Sequence, residues 1–236
     1  MMNDQLRDRV AIVTGASSGI GLATAEMLIE RGALVAVFAR SSPALEHFAA
    51  TYGSRALAVT GDASEPADID RLFSQCESRL GDCEVLVNNA GMIDPASVLE
   101  TSVERWDRMF AVNVRSVFLA SRRALPAMLA RRSGAIVNVA SISGIPGPEK
   151  FPGFASYNAS KAAVIAFTEA LAVEVKEQGV RVNCVSPGSV DTKMWEKASG
   201  GAAASMTPAE VAETILFLAS DRSRAVNGQN LHVFSS

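Results

Sequence analysis

Short runs of Val, Ile, Leu and Ala recur along the chain, and most are followed by a longer stretch with apolar residues at helical spacing. The runs Val10–Thr14, Leu34–Phe38, Ala56–Thr60, Val85–Asn88, Ala135–Ala140, Val180–Val185 and Asn230–Phe234 read as strands. The stretches Ser18–Arg31, Pro66–Leu80, about Val103 to Arg131, Ala155–Gln178 and Pro208–Ser220 read as helices. Strands apolar on every residue need cover on both faces, which is the habit of a parallel sheet flanked by helices. With right-handed crossovers this predicts an α/β fold, one doubly wound sheet of about seven parallel strands in a single domain over 1–236. Two stretches break the rhythm: Ile145–Phe154, rich in Pro and Gly, and Lys197–Met206, rich in Ala and Gly. Loops of this kind carry substrate sites in such sheets, so 145–154 and 192–207 are the expected substrate loops.

Bulk properties narrow the function. The chain has 236 residues, 20% charged, with a net charge of -3, and shows no basic stripe of the kind that binds nucleic acid. The first residues, Met1 to Arg7, lack the apolar stretch of a signal peptide, and the run Ala33–Ala39 is too short to span a membrane. Cys76, Cys83 and Cys184 are odd in number and show no paired spacing, which favours free thiols in a reducing, cytoplasmic setting. The two histidines, His47 and His232, have no ligand-like neighbours, so no metal site is expected.

Chemistry concentrates in three places. Thr14-Gly15-Ala16-Ser17-Ser18-Gly19-Ile20-Gly21 follows the first strand and opens a helix. Glycines there permit a tight turn, and free amides at a helix start hold phosphate. The same residues, Gly15 to Gly19, also fit the G-x-S-x-G elbow of serine hydrolases, with Ser17 as nucleophile and His232 as a late histidine. Tyr157 and Lys161 lie four apart on a helix, roughly 5–6 Å apart at Cβ. An ammonium beside a phenol favours the phenolate, so the pair reads as an acid/base couple, with Lys161 lowering the Tyr157 pKa.

Taken together, Thr14-Gly-x-x-x-Gly-Ile-Gly21, Asn88-Asn89-Ala90-Gly91, Ser141 and Tyr157-x-x-x-Lys161 resemble the short-chain dehydrogenase/reductase family, in order and strand placement, over roughly Arg9 to Val233. The likeness points toward its 3-oxoacyl-carrier-protein reductase branch. It implies a Rossmann domain in which Ser141 holds the substrate oxygen and Tyr157 exchanges a proton with it. Lys161 would tune Tyr157 and hold the nicotinamide ribose, and Asn113 would hold a water linking Lys161 to solvent. Gly15, Ser17, Ser18, Gly19, Ile20 and Gly21 would cradle the pyrophosphate. Asp62, Ala63, Asn89, Ala90 and Gly91 would line the adenosine side, with Pro187, Gly188, Val190 and Thr192 at the nicotinamide.

Strand two ends in Ala39-Arg40-Ser41 rather than in an acid. An arginine with Ser41 beside it suits a 2′-phosphate, so NADP is expected over NAD. The expected partner is a small carbonyl or alcohol substrate. Met92, Ile142, Phe151, Phe154, Met194 and Trp195 would wall its pocket, with Glu149 and Lys150 at the mouth. The family likeness also implies a homodimer or homotetramer. A nucleotide-binding regulator without turnover stands as the alternative from another class. Three departures mark the chain: sixteen residues from Ser141 to Tyr157, a short loop after Thr192, and the ending Val233-Phe234-Ser235-Ser236.

Overall fold

Every predicted apolar run forms a strand; six of them are mostly buried, while the last, Asn230–Val233, is half-buried with His232 exposed. The computed structural model describes residues 6–40, 43–147 and 150–234. In chain order the elements are β1 (Val10–Thr14), α1 (Gly19–Glu30), β2 (Leu34–Ala39), α2 (Pro43–Tyr52), β3 (Ala56–Thr60), α3 (Pro66–Arg79) and β4 (Val85–Asn88). There follow α4 (Val103–Phe110), α5 (Ser116–Ala130), β5 (Gly134–Val139), α6 (Ala155–Val175), β6 (Val180–Pro187), α7 (Lys193–Ser199), α8 (Pro208–Ala219) and β7 (Asn230–Val233). The seven strands form one parallel sheet in the order β3-β2-β1-β4-β5-β6-β7.

Successive strand residues point to opposite faces, so each strand feeds two cores. Val13, Val35, Val37, Val87 and Val185 pack with Leu28 of α1, Leu45 of α2 and Ile215 of α8 on one face. Ile12, Ala36, Phe38, Leu86 and Ile136 pack with Phe73 of α3, Met128 of α5 and Leu171 of α6 on the other. Fully burying one such side chain contributes about 1.5–3 kcal/mol, so two continuous layers hold the strands in register. The strand order reverses direction between β1 and β4, and the crevice at their carboxyl ends is where ligands bind in such sheets.

Three details depart from the expectation. The helical stretch from Val103 is not one α-helix, because residues 111–115 form a π-turn between α4 and α5. Helix α2 falls where no element was expected, and α7 occupies part of the region expected to be irregular. The last strand is also tied to the turn beyond β6: the Gly188 amide donates to the Val233 carbonyl at 2.9 Å. Among the described residues no helix is long and apolar enough to cross a membrane.

Candidate active site

A cleft of about 780 Å³ opens at the carboxyl ends of the strands. At one end lies the turn between β1 and α1, where Gly15 takes φ +67. The turn is locked to β4 by Thr14 and Asn89. The amides of Asn89 and Ala90 donate to Thr14 Oγ1 at 3.1 Å, and Asn89 Nδ2 donates to the carbonyls of Thr14 at 3.1 Å and Gly15 at 3.0 Å. Gly21 lies behind this turn, where a Cβ would sit 2.4 Å from both Asn89 Nδ2 and the Gly15 carbonyl. Ser18 occupies the N-cap of α1 without a side-chain cap bond, and the first turn carries no acid. The helix start therefore keeps amides and positive dipole available beside Gly15, Ser17, Ser18, Gly19 and Ile20, all of which line the cleft. A bare backbone cradle of this kind fits a pyrophosphate.

Beside it, Arg40 projects at the end of β2, exposed and lining the cleft, with Asp62 and Ala63 after β3. Ser41 lies outside the described residues. Asp62 Oδ1 accepts from the Ser64 hydroxyl and amide, and Oδ2 accepts from Arg108 Nη2 at 3.3 Å. Burial pushes the Asp62 carboxyl up, but the Ser64 bonds and the Arg108 and Arg40 charges together hold it below the ordinary value. Arg108, on α4, was not among the expected site residues. Its place arises from a pairing across 46 residues of chain, with no local motif to signal it.

The other end of the cleft gathers Ser141, Tyr157 and Lys161. Ser141 ends the β5 segment and caps a short turn, accepting from the Ser143 amide at 3.1 Å. That turn presses on α6: a Cβ on Gly144 would lie 2.6 Å from the Ala162 amide nitrogen and the Lys161 carbonyl carbon. Close approach sets the Ser141 hydroxyl within hydrogen-bond reach of Tyr157. Gly144→Ala is therefore expected to force the turn off α6. It should destabilise the fold by about 1–3 kcal/mol, seen as a lower Tm, and should lower turnover together with it.

Tyr157 is 8% exposed and Lys161 4%. The Lys161 ammonium donates to the Val139 carbonyl at 2.9 Å and sits 5.8 Å from the Tyr157 ring centroid. The expectation that Lys161 lowers the Tyr157 pKa is corrected here. Burial pushes the Tyr157 phenol up to about 12, with only the Ser141 bond acting the other way. Burial likewise brings the Lys161 ammonium down to about 8. The reason is desolvation, which disfavours both charged forms.

Asn113 does not itself line the cleft. It is fully buried in the π-turn, where its Oδ1 accepts from the Met92 amide at 2.7 Å. Its Nδ2 donates to the Met92 carbonyl at 3.0 Å and to Ser160 Oγ at 2.9 Å. Asn113 Oδ1 and Lys161 Nζ are each 3.4 Å from the point that a Cβ on Gly91 would occupy. Asn113 and Lys161 thus meet beside Gly91, which itself lines the cleft.

The remaining expected residues line the same cleft: Asn89, Ala90 and Gly91 along its floor, Pro187, Gly188, Val190 and Thr192 along the segment after β6. Thr192 accepts from the Trp195 amide at 3.2 Å and so starts α7. Met92, Ile142, Phe151, Phe154, Met194 and Trp195 form the apolar wall. Lys150 does not line the mouth, because its ammonium is bound by the carbonyls of Ser143 and Ile145 at 2.9 and 2.5 Å. Glu149 lies outside the described residues. The hydrolase reading fails on topology: His232 is on β7, four strands from the β1 turn that bears Ser17. At about 4.8 Å per strand no triad spans that distance.

Residues 9–202 match the sequence profile described as short chain dehydrogenase. The chain is similar to 2-(R)-hydroxypropyl-CoM dehydrogenase of Xanthobacter autotrophicus, 38% identical, covering 94% of this chain and 96% of the relative. It is also similar to a 3-oxoacyl-acyl-carrier-protein reductase of Salmonella typhimurium, 34% identical, covering 95% of each. A solved structure of a short chain dehydrogenase/reductase family protein superposes with a TM-score of 0.89 at 36% identity, covering 97% of each chain.

Proposed function

The chain belongs to the short-chain dehydrogenase/reductase family, oxidoreductases that act on CH–OH and C=O groups with a nicotinamide cofactor, and from that premise we propose that it is an NADP-preferring carbonyl reductase or alcohol dehydrogenase with Tyr157 as its acid/base. The observation that supports this most is the shape of one cleft. A backbone phosphate cradle stands at one end, and Ser141, Tyr157 and Lys161 converge at the other. Nicotinamide bound between them supplies or accepts the hydride.

The residues of the chain do the rest. Ser141 holds the substrate oxygen by its hydroxyl, as an oxyanion donor does. Tyr157 passes its phenolic proton to that oxygen during reduction and recovers one during oxidation. With its phenol pushed up to about 12, Tyr157 carries its proton at neutral pH and can donate it. Lys161 supplies a donor for the ribose hydroxyls. Asn113 holds Met92 and Ser160 in place behind them. The test is a screen of oxoacyl thioesters, keto sugars and diketones with NADPH and NADH, deuterated at the transferred position. Failure of label to reach any ketone would instead favour a regulator that binds nucleotide without turnover.

Arg40 is the basis of the NADP preference, with the Arg108 guanidinium adding positive charge at the same end. Arg40→Asp is expected to reverse the preference: NADPH KM rises about tenfold or more, and NADH KM falls. Loss of a charge-assisted pair of 1.5–3 kcal/mol has that size. Unchanged NADPH KM would remove Arg40 from the reading. Exposed apolar side chains before and on α4, Val98, Leu99, Val103 and Trp106, support a homodimer or homotetramer assembled through α4 and α5. Three buried, unbridged cysteines support a reducing, cytoplasmic setting.

A further inference from the structure

The charges in the cleft are lopsided. Among the described residues that line it, Arg40, Arg108, Lys161, Lys193 and Lys197 are basic and Asp62 alone is acidic, in a chain whose net charge is -3. Arg40, Arg108 and Asp62 belong to the adenosine end. Lys161 belongs to the reacting centre. Lys193 stands beside Thr192, whose Cγ2 would meet a Cβ on Gly19 at 2.9 Å, so it belongs to the phosphate turn. Lys197 remains, four residues on, at the substrate end.

Its setting is specific. Helix α7 turns inward at Ala198, which packs against Ile93, Phe154 and Tyr157. The Lys197 ammonium lies over the adjoining wall, 3.4 Å from the Ile93 carbonyl. The nearest acid, Asp94, is held by Arg105, with Nε and Nη2 each 2.8 Å from its Oδ2, while Lys197 stands 3.9 Å from its Oδ1. No acid lines this end of the cleft among the described residues. The flanking side chains Met92, Phe154, Met194 and Trp195 are apolar, and such walls focus the field of a cation on whatever occupies the pocket.

We propose that Lys197 anchors an anion subsite, and that the substrate is a ketone or secondary alcohol carrying a carboxylate on the side away from the cofactor. This rests on the oxidoreductase reading for the position of the reacting carbon. Two measurements separate the ideas. The first compares a keto acid with its amide of the same skeleton under NADPH. The acid is expected to show about fivefold lower KM at similar kcat, the size of a partly exposed ion pair. Lys197→Met should bring the acid-to-amide ratio near one, and Lys197→Arg should keep it.

The second titrates the protein alone with a saturated, unreactive carboxylate and with its amide, read by Trp195 fluorescence. The carboxylate should bind more tightly in the natural protein and lose that advantage in Lys197→Met. Carboxylate binding with no turnover of any ketone would leave the subsite standing and sink the reductase reading. Turnover with equal KM for acid and amide, or equal damage to both in Lys197→Met, would overturn the subsite and leave Lys197 as a tie between α7 and the Ile93–Asp94 wall.

Discussion

Tyr157→Phe is expected to lower kcat for ketone reduction by about a thousandfold while leaving the fold and nucleotide binding in place. General acid catalysis contributes 10²–10⁴-fold, and no other side chain at this end of the cleft can replace the phenol. Lys161 is held by the Val139 carbonyl, and a serine hydroxyl is too weak an acid. The substitution keeps the ring, which packs edge-on against Phe154 with centroids 6.2 Å apart. Ser141 keeps its bond from the Ser143 amide, so the orphaned polar surface is small. Steady-state kinetics with thermal unfolding checks both halves. A loss below tenfold would mean that Tyr157 is not the proton donor, and a collapse in Tm would mean that the hydroxyl is chiefly structural.

The second large effect is Lys161→Met. We expect kcat to fall at least a hundredfold, because the cationic donor proposed to hold the nicotinamide ribose beside Tyr157 is gone. Stability should respond in the opposite sense. The buried ammonium titrates near 8 rather than 10.5, so holding it charged at neutral pH costs on the order of 3 kcal/mol. Against that relief, removing the bond to the buried Val139 carbonyl costs about 1–3 kcal/mol. The variant should therefore be as stable as the natural chain at pH 7, or more so. The pH dependence has a definite sign. Between 8 and 10.5 the unfolded chain binds the proton that the folded chain has released, so Lys161 makes stability rise with pH across that window. Unfolding measured from pH 7 to 10.5 should show this rise in the natural chain and its loss in Lys161→Met. A parallel pH curve in both proteins would contradict the buried, depressed ammonium.

Strands β1 to β6 were legible because burial leaves apolar residues at most of their positions, whereas β7 is only half-buried and was marked by its place after the last helix. Helix α2 was not, since only Leu45 and Phe48 of its residues are buried and no apolar stripe stands out. Helix α7 buries no residue at all. Its signals were at its ends, the Thr192 cap and Gly200 at φ 66, rather than in a periodicity. The grouping of Ser141, Tyr157 and Lys161 in one cleft was readable, because short spacings and strand ends place them. Its electrostatics were not. Proximity of Tyr157 and Lys161 follows from spacing four, whereas the desolvation that raises the phenol depends on Phe154, Ile93 and Met109 packing with the tyrosine. Arg108 and Lys197 escaped notice for a similar reason: each bonds a partner far away in the chain.

The bond from Gly188 to Val233 ties the last strand to the cleft. Gly188 opens the segment that carries Val190 and Thr192 along the cleft, and a Cβ on it would lie 3.2 Å from Phe234 Cβ. Met206 braces the same segment elsewhere, its carbonyl accepting from the Asp191 amide at 2.8 Å. A lesion in β7, remote from Tyr157 in sequence, is therefore expected to loosen the cleft wall and to read out as a loss of binding there.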